Sequence, residues 1–469
     1  MKKLLVAAVF SIGLAGTASA DLIKRIDGII SQSSQKKVQF SIHIVKADSG
    51  RTVYKHNAGK GLVPASNMKI IATAAALKFL GPDYKYKTKV GLCGDTLVVI
   101  GSGDPLLGDK VTDAKREREV GWIFKDITAK LKRNGQTAIK DIIVDSSIFD
   151  DQRVHPNWPK KELNRWYACE VSGLNFNGNC IDITTKTVSG KTAVFIEPET
   201  SYVKVINEVV PIQKGKSAVG SYRQPGKHNK IIVKGKCKKK VGPFAVAIER
   251  PAAFFGYLLA ENLIRAGINT EGQLLEKPIG KDCNFKELTE YSTPIADCLA
   301  RCNKDSFQLA AEALLKTIAA NNNQGSKNSG WAQGRELIGE YLLELGIKKE
   351  EFYIDDGSGL SRQNRLSANA ITKVFLDVYK SGNWRLYKNS LAVGGIDGTT
   401  KKYFKEEKYK GKIFGKTGYI NGVKSLSGIC STARGDYIFS ILANNTNNRT
   451  RPAINDIAKT IVDTEVAGQ

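Results

Sequence analysis

The strongest constraint on the fold is that neither end of this chain supplies a complete layered domain by itself. Residues 38–46 read as a strand, and residues 64–80 as a helix closed by Gly81, with Met68, Ile71, Ala72, Ala75 and Phe79 at helical spacing. From about Cys93 to about Glu290 the texture changes to short β-type runs, such as 96–100, 139–144, 192–196 and 230–233, divided by Gly-, Asn- and Lys-rich turns. Helical patterning returns over 294–302, 307–320, 334–345 and 368–380, followed by strands at 425–430 and 437–443 and a last amphipathic helix over 452–462. A sheet must bury one face against another layer, so the two ends are expected to fold together around a strand-rich insertion. Length alone, 469 residues, suggests about three domains of ~150 residues, and hydrophobic residues at 42% with 25% charged describe ordinary globular composition.

Compartment follows from the first residues. Lys2 and Lys3, an apolar stretch over 4–16 and Ala18-Ser19-Ala20 before Asp21 form the pattern of a secretory signal peptide over 1–20. The stretch is shorter than the ~20 residues a spanning helix needs, so export to the periplasm or cell-wall space is expected. Losing Lys2 and Lys3 takes the formal charge from +25 to +23, a balance that favours anionic partners. In an exported protein these are cell-wall polymer or an anionic membrane surface rather than nucleic acid, unless the charge serves solubility alone. Eight cysteines in an oxidising compartment make disulfides plausible, with Cys169 and Cys180 as the best local pair. No zinc-ligand spacing occurs, since Cys298-x-x-x-Cys302 lacks a second pair, and neither metal nor cofactor is expected. The four histidines, His43, His56, His155 and His228, are scattered, which argues against a Ser-His-Asp triad.

The sharpest chemical candidate is Ser66-Asn67-Met68-Lys69 at the start of the first long helix. A serine and a lysine three apart share a helical face, so Lys69 can reach the Ser66 hydroxyl. Burial beside other cations would depress the lysine pKa and make it a base. A helix N-cap is the competing reading of Ser66. The same spacing recurs at Ser33–Lys36 and Ser34–Lys37 in a polar stretch that reads as a solvated loop. Lys416-Thr417-Gly418 reads as a strand leading into the last antiparallel pair: a cation, a hydroxyl and a residue that permits close backbone approach, suited to a carboxylate. A basic hairpin edge is its alternative. Between the two stands Ser306-Phe307-Gln308, where Ser306 could also be an N-cap.

In this order, S-x-x-K at a helix start, a serine at a helix junction and K-T-G on a late strand form the Ser/Lys signature of penicillin-recognising acyl enzymes. The sequence resembles the low-molecular-mass class C penicillin-binding proteins, serine D-alanyl-D-alanine carboxypeptidases and endopeptidases. The likeness extends through Gly101-Ser102-Gly103-Asp104-Pro105, Val144-Asp145-Ser146, Trp166-Tyr167-Ala168, Val171-Ser172-Gly173-Leu174, Asn179, Asp356-Gly357-Ser358-Gly359-Leu360-Ser361-Arg362 and Gly394-Gly395-Ile396-Asp397-Gly398-Thr399. It implies an α/β (α+β) penicillin-binding, β-lactamase-like transpeptidase domain in two parts, 21–92 and 291–469, split by an inserted strand-rich region over 93–290.

The resemblance also implies roles. Ser66 attacks the penultimate D-alanine carbonyl of a peptidoglycan stem peptide, Lys69 accepts its proton, and Ser306 passes a proton to the leaving amine. Backbone N–H groups of Ser66 and Tyr419 form the oxyanion hole, a donor pair whose members can each be worth ~3 kcal/mol. Lys416, Thr417 and Gly418 hold the terminal carboxylate, Gln308 the peptide amide, and Asp145 with Arg362 the polar end of a diamino acid. For Asp145 a strand-end turn and for Arg362 a surface cation are the competing readings. β-Lactams are expected as covalent ligands. One position departs from the pattern: Ser-x-Gln replaces Ser-x-Asn, and an added methylene that displaces a hydrogen bond by about an ångström can cost ~100-fold in rate. The alternatives are a silent peptidoglycan-binding protein of the same fold and a β-lactamase.

Overall fold

A computed structural model describes residues 20–224, 226–322 and 329–463. The expected leader therefore lies outside the described residues, apart from Ala20. Two compact units make up the chain: Met1–Pro82 with Leu299–Leu315 and Gly334–Gln469, and Asp83–Cys298 with Lys316–Gln333. These bounds differ from the breaks expected at 92/93 and 290/291. Strands Lys85–Cys93 and Lys286–Pro294 pair antiparallel with each other and so belong to one sheet of the second unit.

The first unit is built on six strands, β1 (Gln39–Lys46), β2 (Thr52–His56), β3 (Ala392–Val393), β4 (Ile413–Ile420), β5 (Val423–Thr432) and β6 (Gly435–Asn444). They run antiparallel in the order β3-β4-β5-β6-β1-β2. Its helices are α1 (20–30), α2 (Met68–Leu80), α3 (Ile295–Lys304), α4 (Gln308–Asn322), α5 (Trp331–Glu344), α6 (Ala368–Lys380), α7 (Trp384–Ser390) and α8 (Thr450–Asp463), of which α3, α4 and α5 run across the unit boundaries.

Strand alternation on β1 sends the two sets of side chains to opposite faces. Phe40, Ile42 and Ile44 join Leu22 and Ile26 of α1 and Ile454, Ile457 and Ile461 of α8 in one core. On the other face, the Ser41 hydroxyl accepts the Ala368 N–H, and His43 bonds Thr372 of α6 at 2.6 Å. Helix α2 carries no amphipathic stripe. Met68 through Leu77 are all buried, because α2 runs through the interior instead of along its surface. Gly81 ends it at φ 82°, its N–H donating to Leu77 O.

The second unit holds a five-stranded sheet, in the order Leu274–Glu276, Ile142–Asp145, Thr96–Ile100, Lys85–Cys93 and Lys286–Pro294, and two three-stranded sheets drawn from strands between Cys180 and Ala247. It also contains helices Trp122–Arg133 and Pro251–Arg265, which the strand-rich expectation did not include. Ile123, Phe124, Ile127 and Leu131 face its core, where the Phe124 ring lies 4.9 Å from Phe176 and 5.1 Å from Phe255. The disulfide expectation is corrected: Cys93 joins Cys283, while Cys169 and Cys180 are buried and not joined to each other. Cys93 ends one strand and Cys283 precedes its antiparallel neighbour, so their Cα atoms stand 5.6 Å apart. Among the described residues no helix is long and apolar enough to cross a membrane.

Candidate active site

Ser66 lies in a 3₁₀ turn, Ala65–Asn67, that feeds α2, and the N-cap positions of turn and helix are Pro64 and Asn67 rather than Ser66. Lys69 Nζ instead stands 3.2 Å from Ser66 Oγ and donates a 2.7 Å hydrogen bond to Ser358 O. The turn is entered through Ala65 at φ 47°, a left-handed backbone conformation that costs a non-glycine residue about 1–3 kcal/mol. Gly359 packs against it so closely that a Cβ there would stand 1.8 Å from Ala65 O. Ser66 is half-buried and Lys69 fully buried.

Ser358 O is held in place by the Asp356–Arg362 loop. Glu312 of α4 accepts the N–H groups of Gly357 at 3.0 Å and Ser358 at 2.8 Å, and Asp356 accepts those of Gly359 and Ser361, both at 2.7 Å. Buried carboxylates satisfied by backbone donors make a rigid support. Burial lowers the Lys69 pKa, while Cys302, Glu312 and Asp356 oppose that shift. Glu312 was not among the sequence candidates, although a glutamate between Ala311 and Ala313 in a buried helical run was its available signal.

Lys416 of β4 is likewise fully buried. Burial drives its pKa well below the ordinary lysine value, and the nearby Lys69 pushes the same way. Its Nζ donates to Thr417 O at 2.8 Å, and its own carbonyl accepts Asn67 Nδ2 at 3.1 Å, tying β4 to the Ser66 turn. Cys302 of α3 faces both lysines and, by burial, has its thiol pushed up to about 12. Two cations in one buried cluster disfavour each other's charge.

Gly418 is where β4 meets the nucleophile. A Cβ at this position would lie 2.1 Å from Ser425 Oγ, 2.9 Å from Pro64 O and 3.1 Å from Ser66 N. Ser425 Oγ in turn donates to Pro64 O at 2.8 Å. β3 pairs only with Phe414 and Gly415, so among the described residues the outer edge of β4 from Lys416 to Ile420 is unpaired. Alternate N–H groups of an antiparallel strand face its free edge, which is what an added peptide strand or an oxyanion needs. Tyr419, the next residue, is 68% exposed.

Ser306 sits between α3 and α4 at φ 60°. Helix α4 begins at Gln308, so Ser306 lies outside the N-cap position and outside the extended conformation a cap adopts. Gln308 Oε1 is buried and has no hydrogen-bond partner among the described residues. The neighbouring Asp305 interacts electrostatically with Lys416, which brings this junction to the lysine cluster. Arg362 is exposed and donates to Asn421 O, at the turn that follows β4. Asp145 belongs to the second unit, where its carboxylate accepts Ser147 N at 2.9 Å, Ser147 Oγ at 2.6 Å and Ile279 N at 2.8 Å. These bonds staple the end of its strand. Among the described residues no group of three His, Cys, Asp or Glu side chains could hold a metal ion.

The family described as D-Ala-D-Ala carboxypeptidase 3 (S13) matches residues 22–465. A D-alanyl-D-alanine carboxypeptidase of Actinomadura sp. is 27% identical, over 94% of this chain and 84% of its own. Penicillin binding protein 4 of Haemophilus influenzae superposes with a TM-score of 0.78 at 19% identity, over 94% of this chain and 99% of that one, and is also solved with a β-lactam (TM-score 0.72). A predatory peptidoglycan endopeptidase of Bdellovibrio bacteriovorus gives a TM-score of 0.53 at 17% identity, over 92% and 94% of the two chains.

Proposed function

The chain belongs to the D-Ala-D-Ala carboxypeptidase 3 (S13) family, and from that premise we propose that Ser66 is its acylated nucleophile and Lys69 the base that activates it. The protein is a serine-type peptidase of the D-Ala-D-Ala carboxypeptidase class. The observation that carries the assignment is the buried Lys69 amine, aimed at Ser66 Oγ from 3.2 Å and fixed on its other side by Ser358 O. A neutral amine in that position accepts the hydroxyl proton as Ser66 Oγ bonds to the carbonyl carbon of the penultimate D-alanine. The C–N bond then breaks, Ser306 relays a proton to the departing amine of the terminal D-alanine, and water hydrolyses the ester.

Geometry within the first unit supports further roles. Ser66 N and Tyr419 N receive the oxyanion, since β4 packs against Ser66 at Gly418. A terminal carboxylate beside Thr417 restores the charge of Lys416, whose burial otherwise disfavours it. Gln308 Oε1 accepts the substrate amide N–H, which satisfies an atom left unbonded in the free protein. For Arg362 and for Asp145 the role toward the polar end of a diamino acid rests on the resemblance alone. Penicillins acylate Ser66 by ring opening, and cleavage of peptide cross-links is a second activity, in keeping with an endopeptidase among the structural neighbours. Export places the enzyme against the cell wall, and fractionation of cells expressing the full chain tests that location. The catalytic reading is tested by incubating the mature protein with a peptide ending in D-Ala-D-Ala. Free D-alanine, lost in Ser66→Ala, supports it; a folded protein that binds the peptide and releases none leaves the silent wall-binding reading.

A further inference from the structure

Beside β4, on the side of Thr417 and Tyr419, the first unit contains a cavity of about 870 Å³. Five cations line it, Lys401, Lys402, Lys405, Lys424 and Arg451, and no carboxylate does. Two acidic side chains adjacent in sequence to its lining residues are engaged elsewhere: Asp397 by Lys304 and Glu406 by Lys459. Among the described residues Lys401, Lys402 and Lys405 form no ion pair and are exposed. Arg451 is tied to the strands themselves, donating to Gly418 O at 2.9 Å and Ser425 O at 3.1 Å. Burial lowers the Lys424 pKa, and Arg451 adds to the shift. A cavity whose walls repel one another is relieved by an anion.

Its position identifies the anion. Thr417 is both the proposed anchor of the leaving residue's carboxylate and part of the cavity wall, so any chain continuing from the leaving residue enters here. We propose that the cavity is a leaving-side subsite for a second, carboxylate-bearing stem peptide, the one whose amine departs when a cross-link is cut. The inference rests on the catalytic reading above for the direction of the substrate. The subsite separates the two substrates: it acts on the further carboxylates of a cross-linked peptide and is silent toward a D-Ala-D-Ala end, which carries none beyond the one anchored at Thr417.

The test measures binding in the Ser66→Ala protein, with and without K401E and K405E, by calorimetry at low and raised salt. The probes are a cross-linked dimer of stem peptides, the same dimer amidated on the leaving-side carboxylates, a pentapeptide ending in D-Ala-D-Ala and, separately, a glycerol-phosphate polymer. Charge reversal is expected to weaken the dimer about tenfold, with the loss shrinking at raised salt, and to move the pentapeptide and the amidated dimer by less than about twofold. Unchanged dimer affinity, or an equal loss for all three peptides, overturns the proposal. So does a loss seen only with a glycerol-phosphate polymer, which would assign the cavity to a phosphate polymer instead. If the reversed protein does not fold, K401Q with K405Q gives the same test with a smaller loss. D-alanine release by the unaltered protein is read separately. Its absence with dimer binding still charge-dependent would sink the catalytic reading and keep the subsite.

Discussion

Gly418→Ala probes the packing of β4 on the nucleophile more sharply than removal of any catalytic group. The new methyl carbon would stand 2.1 Å from Ser425 Oγ, a contact real structures do not tolerate. Rotating Ser425 relieves it but breaks the 2.8 Å hydrogen bond to Pro64 O, worth about 1 kcal/mol. Pro64 O then still lies at 2.9 Å and Ser66 N at 3.1 Å, where ordinary contact begins at 3.4 Å. β4 must therefore retreat from Ser66 by about half an ångström at the place where the oxyanion is to be held. A misplacement of 1 Å can cost ~100-fold, so penicillin acylation should fall by about 10- to 100-fold while the melting temperature drops only a few degrees. Stopped-flow acylation with a fluorescent penicillin, beside calorimetry, reads both. Adding Ser425→Ala removes the closest atom and should recover part of the rate. A Gly418→Ala protein that acylates within about threefold of the parent would refute the claim that this strand is seated against Ser66.

Further expectations follow from the buried groups. Burial depresses the Lys69 pKa, so acylation should rise with pH through a midpoint below the ordinary lysine value of about 10.4. Glu312→Gln removes a carboxylate that opposes the depression and should move the midpoint lower still; an unchanged or higher midpoint in a pH–rate profile contradicts the arrangement. Gln308→Met deletes a buried oxygen without a partner, so stability should hold or rise by up to about 1 kcal/mol as kcat/KM for a D-Ala-D-Ala peptide falls by about tenfold or more; lost stability with retained activity would be the contrary result. His43 is buried with its pKa lowered from 6.5 to about 4. Its unfolded form binds a proton that the folded form refuses between those values, so stability falls as pH drops through that window, by about 3 kcal/mol. Urea melts of His43→Gln should lack that part of the slope.

What could be read along the chain was local, and what could not was set by partners distant in sequence. The helix over 368–380 and the strand carrying Lys416-Thr417-Gly418 announce themselves through periodicity and β-branched or aromatic flanks, and both occur as read. The Ser66–Lys69 spacing needs only helical geometry to bring the two side chains together. The support behind Lys69 is different in kind: Glu312 reaches Gly357 and Ser358 across 45 and 46 residues, and only the folded chain makes that pairing visible. The Cys93–Cys283 bridge spans 190 residues and depends on two strands being neighbours, which spacing along the chain does not reveal. Helix Trp122–Arg133 was equally legible, since Ile123, Phe124, Ile127 and Leu131 recur at helical spacing with Lys125, Asp126, Lys130, Lys132 and Arg133 between them. The left-handed backbone of Ser306, which displaces it from a capping role, has no signature in residue type.

The central claim is that one serine, Ser66, forms the covalent intermediate with help from Lys69. Intact mass spectrometry of the mature protein after incubation with penicillin tests it most directly, beside a folded Ser66→Ala control. A mass gain equal to one penicillin molecule that is absent from the control is the predicted result. An adduct that persists without Ser66, or a folded parent protein that never gains mass, would contradict it.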